Sequence, residues 1–502
     1  MSRRRFVVSV AGLAGAAASG VMARVARAAA PSDYDYIIVG AGTAGLPAAI
    51  FASARGARVL LLDAAGDIGG TLHLSTGQMS AAGTRLQASL GIVDTPQLHY
   101  DDVMRISRNT ADPILTRIAV DEAAKTFDWL MECGFAPLPE HPVLGKGHEP
   151  YSRKRYYWGA EGGRSILAVL RREFERARAA GRIDLRLQTP VSALLTDSAG
   201  AVRGVRVKSA DREQVFAARH VVLTCGGYGS NAEMFERLSG YRAYAATGYP
   251  YSQGAGIELA VAVGGYVRGR QNYLSNFGSI LTDDAIPGRF LARFVVIPQE
   301  RQPWEVFVNA RGERFIREDE PSVDAREHSL LAQPDLRYWI VFDEAILSAA
   351  PPGVGGWTRE QMRETFGVHQ WFQQADDLAT LARNCGIDAD GLQRTVADFN
   401  RGVARGKDAL GRVHLPKPIV KPPFYAIRHQ GHSTTATVGI AVDDRLRVIR
   451  QDGTPIPNLY AAGELLGAGQ TQGRSFVGGM MVTPALSFGR ILGERLPLAA
   501  RT

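Results

Sequence analysis

Six residues near the start of the chain, Gly40-Ala41-Gly42-Thr43-Ala44-Gly45, have the types and spacing to hold a pyrophosphate. The first glycine permits a tight turn, the second lets backbone approach a phosphate, and the third allows a helix to pack closely. Asp63 follows at the distance where a carboxylate can accept hydrogen bonds from a pair of ribose hydroxyls. The elements that must position these groups flank them. Tyr36-Ile37-Ile38-Val39 is a short β-branched run leading into the glycines, an Ala-rich helical pattern spans Leu46 to Arg55, and a second apolar run, Val59 to Leu62, ends at the acid. Strand, turn and helix in that order aim the free N–H groups of the first helical turn at the phosphates. A glycine turn in an ordinary sheet would leave the acid without a purpose. The pattern defines a dinucleotide site and leaves NAD and FAD both open.

The 502 residues give room for two large domains, or for one carrying a large insertion, and 45% apolar with 22% charged residues is a globular composition. The formal charge of +8 is misleading as a guide to partners, because Arg3, Arg4, Arg5, Arg24 and Arg27 all lie in the first thirty residues, which contain no acid. Without them 53 basic residues face 50 acidic ones, about +3, and a nucleic-acid partner loses its support. Residues 1–30 read as a targeting segment: Ser2-Arg3-Arg4-Arg5-Phe6, then an uncharged Gly/Ala-rich stretch from Val7 to Met22, then Ala28-Ala29-Ala30 before Pro31. The start resembles the twin-arginine export signal, which implies a periplasmic or secreted protein cut after Ala28 or Ala30, with no stable membrane span afterwards. Three scattered cysteines, Cys133, Cys225 and Cys385, make no disulfide framework; no Cys-x-x-Cys-His for haem and no metal-ligand spacing occur.

Further motifs narrow the cofactor. Gly69-Gly70-Thr71 and the run Ser75 to Thr84 follow Asp63; Val221 to Gly229 reads as a strand ending in the pair Gly226-Gly227; Leu459 to Glu464 reads as another strand ending at an acid. In these motifs, from about Tyr34 to Leu496, the chain resembles the flavoprotein family of fumarate reductase, succinate dehydrogenase and 3-ketosteroid dehydrogenase. The resemblance implies an α/β fold: a discontinuous Rossmann-like FAD-binding domain, 31–265 and 405–502, with an inserted α+β substrate cap at 266–404. Within the cap, Glu305–Asn309 and Trp339–Asp343 are expected as strands around the landmark Gly312–Ile316. A helical stretch Leu378–Val403 and the proline-rich Pro416–Pro423 return the chain. The implied cofactor contacts are Gly40, Gly42, Gly45 and Asp63, then Gly69, Gly70, Thr71, Ser75 and Gly77, with Val191, Gly226, Gly463, Glu464, Gly479 and Val482 from later in the chain. FAD is expected to be non-covalent: the position at which some relatives carry an attaching histidine falls on Thr71, and His73 is read as structural.

The chemistry implied is hydride exchange between flavin N5 and the carbon β to a carbonyl, with a protein group handling the α proton. Three positions that are charged in fumarate reductases fall on Thr435, Ser322 and Phe476. Arg326, four residues past Ser322, shares its face if that stretch is helical, and Arg474, two before Phe476, shares its side if extended. With Thr435, His432 and Tyr273 they form the candidate catalytic set; His429 lies close by in sequence, and Ser475 stands where ketosteroid dehydrogenases carry a tyrosine. The absent pair of carboxylate ligands points to a substrate with one carboxylate or ketone, met by Phe476 and Trp304. Two alternatives stand beside this dehydrogenase reading: a fumarate- or enoate-type reductase fed by an external cytochrome or quinone, and a non-catalytic flavin protein.

Overall fold

The computed structural model describes residues 33–498 apart from 146, 210–211 and 247, so the arginine-rich segment at 1–30 lies outside the described residues. Its main sheet is built on β1 (Tyr34–Val39), followed by helix α1 (Gly45–Ala54), β2 (Val59–Leu62), β3 (Ile183–Arg186) and β4 (Arg212–Leu223). In the second half of the chain come helix α2 (Val323–Leu331), strand β5 (Pro455–Ala461) and helix α3 (Val482–Arg495). The sheet runs Arg447–Ile449, β5, β4, β1, β2, β3, and every pair from β5 to β3 is parallel. Apolar runs without alternation suit this placement, since parallel strands are covered on both faces; β2 is buried along its whole length.

Register decides what this sheet presents. Val39 pairs with Leu62 and with Leu223, and Ala461 also pairs with Leu223. The glycine turn, Asp63, Thr224–Gly226 and Ala462–Gly463 therefore emerge together at one carboxyl edge, the place where open α/β sheets bind ligands. At Gly40 (φ +107°) an added Cβ would lie 2.4 Å from the Thr224 carbonyl oxygen, so the turn closes against the next strand only with glycine.

A second, antiparallel sheet has the order Val306–Val308, Arg337–Asp343, Phe424–Gln430, Phe372–Ala375. The two expected strands are present in it. Strand Phe424–Gln430, placed by the sequence division with the nucleotide-binding segments, is instead central to this sheet, pairing Trp339 with Arg428. The expected helical stretch is two helices, Leu378–Cys385 and Ala389–Arg405, because Gly386 (φ +69°) closes the first and the Asp388 side chain caps the second. Among the described residues no helix is long and apolar enough to cross a membrane.

Candidate functional site

The carboxyl edge of the main sheet opens into a cavity of about 500 Å³. Gly40, Gly42, Thr43 and Ala44 form one wall, leading into the first turn of α1, which has no side-chain cap. Asp63 reaches the same wall. Its carboxylate accepts from the backbone N–H of Ala41 at 2.6 Å and of Ala65 at 2.7 Å, while burial pushes its pKa up. Gly70, Thr71, Ser75, Thr189-Pro190-Val191 and Gly226 continue the lining, and Gly463-Glu464 closes it from the end of β5. Glu464 forms no ion pair among the described residues; the Thr71 hydroxyl lies 3.4 Å away, and burial raises its pKa against the opposing backbone amides of Gly227 and Ala436. At the far end Gly479, Met481 and Val482 present the start of α3, again without a side-chain cap. Gly479 (φ +81°) is held tight: a Cβ there would stand 2.3 Å from the Ser80 nitrogen.

These groups fit a flavin dinucleotide. Uncapped helix starts offer N–H donors to the pyrophosphate at α1 and to negative charge at α3. Two acids of the lining, Asp63 and Glu464, match two sets of hydroxyl donors, and neither forms an ion pair among the described residues. Three expected contacts, Gly45, Gly69 and Gly77, lie behind the wall instead. A Cβ on Gly45 would meet the Gly40 carbonyl, on Gly69 the Leu167 side chain, and on Gly77 the Gly162 backbone, so they shape the loops that carry the lining. His73 turns away from the cavity to the Ile68 carbonyl, 3.0 Å from Nε2.

The catalytic candidates divide. Thr435 and Phe476 line the cavity. Arg326 does not line the cavity; it is 1% exposed on α2, its guanidinium bonded to the carbonyls of Val296 and Ser322 and 5.9 Å above the Phe277 ring, and Nη2 has no hydrogen-bond partner among the described residues. Arg474 is not brought to the cavity. Its side chain is exposed, and its backbone carries the contacts, accepting from His328 Nε2 and donating to Thr110 Oγ1. His432 is buried beside Asn276 and Ser279, each 3.2 Å away, and Tyr273 is buried with its ring stacked 3.9 Å from Tyr241; neither lines the cavity. Trp304 likewise stands apart, edge-on to His414 in the second sheet's surroundings.

Sequence reasoning missed the second layer. His148 packs 4.2 Å from the Phe476 ring, and burial with the charges of Arg326 and Arg293 lowers its pKa to about 4, so at neutral pH it is an uncharged aromatic wall. Arg293 is exposed and its side chain makes no hydrogen bond or ion pair among the described residues, yet its charge acts on His148, Glu327, His429 and His432. Glu327 follows Arg326 directly and is 8% exposed. The charged string Asp324-Ala325-Arg326-Glu327-His328 was the available signal, a run of polar residues that a helix must partly bury.

A parallel sheet with a glycine turn, an acid at the end of the second strand and two uncapped helix starts around one crevice defines a dinucleotide-binding flavoprotein. A family model described as an FAD binding domain matches residues 35–479, and the chain belongs to that family. Fumarate reductase (cytochrome) from Shewanella frigidimarina is 30% identical over 483 residues, 94% of this chain and 78% of that protein. The open conformation of a flavocytochrome c3 fumarate reductase matches with a TM-score of 0.67 at 28% identity, over 92% of this chain and 77% of that one. 3-Ketosteroid Δ1-dehydrogenase from Sterolibacterium denitrificans shares the fold, with a TM-score of 0.70 at 20% identity over 92% of this chain and 98% of that one. The protein is an FAD-dependent oxidoreductase acting on CH–CH bonds.

Proposed function

We propose that the enzyme adds or removes a hydride at the α,β carbon–carbon bond of a substrate bearing a single carboxylate or a ketone. The observation that carries this reading is the uncharged cavity lining at Thr435 and Phe476, with the guanidinium of Arg326 buried outside that lining and its Nη2 without a partner among the described residues. Arg326 stabilises the enolate-like charge that develops on the substrate oxygen. Phe476 and neutral His148 form an apolar wall that suits the hydrocarbon part of the substrate and excludes water from it. FAD, when bound, supplies the hydride acceptor or donor. Asp63 and Glu464 hold its hydroxyls, the starts of α1 and α3 its charged ends, and the binding is non-covalent, with His73 turned to the Ile68 carbonyl.

The second sheet with its helices is the substrate cap, and we place its return to the nucleotide-binding part after Gln430, where the sheet ends. The twin-arginine-like start supports export to the periplasm, and an external cytochrome or quinone would exchange electrons with the flavin. A second reading, a fumarate-type reductase, is favoured by Arg293, an exposed cation whose side chain has no partner among the described residues and which could take a second carboxylate.

The test is anaerobic flavin absorbance on the mature protein. Bleaching of oxidised enzyme by cyclohexanone or a steroid ketone, or reoxidation of reduced enzyme by crotonate faster than by fumarate, agrees with a single polar group. Reoxidation fastest with fumarate makes Arg293 the second half of a dicarboxylate clamp and overturns the proposal.

A further inference from the structure

The two glutamines of Gln470-Thr471-Gln472, at the end of the short helix Ala468–Thr471, are used differently. Gln470 serves the fold: its carboxamide donates to the carbonyls of Ile440 and Leu466 and accepts from Arg268. Gln472 is half used. Its Oε1 accepts from the N–H of Val477 at 3.0 Å. Val477 is fully buried, so its N–H must face an oxygen rather than an NH2 group, and this fixes which way the carboxamide points. Nε2 is left with no hydrogen-bond partner among the described residues, yet it is not sealed off and keeps accessible surface. Gln472 as a whole is 1% exposed and lines the cavity, so that surface opens there.

The backbone sets this donor beside the reactive end of the lining. The Gln472 N–H donates to the Ala468 carbonyl at 2.8 Å, and the loop carrying Thr435 is stitched to the same helix, Ala468 N–H to the Ala436 carbonyl at 2.8 Å and Gly469 N–H to the Thr437 carbonyl at 2.9 Å. Through Val477 the carboxamide is tied to the residue that follows Phe476. Among the described residues the whole lining holds two carboxyls, Asp63 and Glu464, and no Arg, Lys or His.

We infer that Gln472 Nε2 donates the hydrogen bond that polarises the substrate's carbonyl oxygen, and that this carbonyl belongs to a ketone rather than to a carboxylate. The inference rests on the proposed reaction and chooses between its two substrate classes. A carboxylate enters with a full negative charge, which a lining with two acids and no cation leaves uncompensated. A ketone enters neutral, and its oxygen gains charge only as the enolate-like state forms, where a fixed neutral donor is most effective. The amide N–H tightens on that oxygen and keeps its proton; no bond to hydrogen breaks at Gln472. The start of α3 serves the charge on the flavin, so the two sets of donors meet different oxygens.

The experiment compares holoenzyme of wild type, Gln472→Glu and Gln472→Met, with cyclohexenone and crotonate as oxidants of the reduced flavin. Glutamate keeps an oxygen for the Val477 N–H and removes the donor; methionine keeps only the outline of the side chain. Wild type should be reoxidised faster by cyclohexenone than by crotonate. Both variants should lower the cyclohexenone rate by about 10²–10³-fold, the loss expected for one oxyanion donor, while FAD content stays that of wild type. Without turnover, 4-chlorophenol, a stable mimic of the enolate, should give the oxidised wild-type flavin a charge-transfer band at lower concentration than it does either variant. A cyclohexenone rate within about tenfold of wild type in either variant that folds overturns the role of Gln472. Loss of FAD in step with the rate also overturns it, by putting the donor on the flavin. Crotonate outpacing cyclohexenone on wild type, a comparison that needs no variant, overturns the ketone and leaves the reaction intact. If neither probe reoxidises wild type, the reaction itself fails and the inference with it.

Discussion

Asp63→Asn isolates what the acid at the end of β2 contributes. Its two oxygens accept from backbone amides at 2.6 and 2.7 Å, and the same carboxylate lines the cavity. Asparagine offers one oxygen; its NH2 then stands against the second amide, donor against donor, and accepts nothing from a ligand hydroxyl. A hydrogen bond to a charged group is worth about 1.5–3 kcal/mol. Loss of one to an FAD hydroxyl should weaken binding by roughly 10–150-fold at 1.4 kcal/mol per decade. The displaced amide is present with or without ligand, so the apoprotein should lose about 1–3 kcal/mol as well. The assay is equilibrium FAD binding to deflavinated protein, with urea unfolding of the apoprotein beside it. An FAD dissociation constant within twofold of wild type would refute the assignment of Asp63 to the cofactor, and unchanged apoprotein stability would refute the amide geometry.

Gly479→Ala should give protein purified with little flavin, read as the absorbance ratio of flavin to protein, because the added Cβ meets backbone rather than a movable side chain. Arg155→Met should cost about 3–5 kcal/mol in urea unfolding, since the fully buried guanidinium holds Asp94 and Asp102 at 2.6–2.8 Å and its loss leaves buried Asp94 without an ion pair among the described residues, while Asp102 keeps Arg105. Arg326→Leu should lower kcat/KM far more than it alters FAD content; equal loss of both would make it a structural residue. Stability should fall as pH drops from about 6.5 to about 4. Burial holds His148 and His432 at about 4 and His429 at about 3, so across this window the unfolded chain binds protons on these three that the folded one does not, outweighing the one proton that the folded chain alone keeps on Glu327. Below it, carboxylates with lowered pKa, among them Asp102 beside Arg155 and Asp408 beside Arg314, lose their contribution in turn. Urea midpoints across pH 3–8 check the sign, and a midpoint flat from pH 6.5 to 4 would contradict the buried neutral imidazoles.

How much of the site could be read in advance follows the range of the forces involved. The turn at Gly40–Gly45 and the placement of Asp63 depend on dihedral freedom and on periods of two and 3.6 residues, all set within about thirty residues of chain, and the structure repeats them. Glu464 and Gly479 were reached by resemblance, and both line the cavity. Arg474 shows where local geometry gave out. Arg474 and Ser475 are turn and bend rather than extended strand, so counting two residues along a strand no longer describes them, and the Arg474 side chain leaves for solvent while its carbonyl binds α2.

Residue types and spacing alone determined that the chain holds a dinucleotide, at a glycine turn between a strand and a helix; the inserted cap came from the family resemblance. Only the tertiary structure decided that strand Phe424–Gln430 belongs to the second sheet, that Phe476 meets His148, and that Glu327 is buried beside Arg326. Strand pairing and desolvation join residues far apart in sequence, and a side chain's charge state depends on how much water and which charges its distant neighbours leave around it.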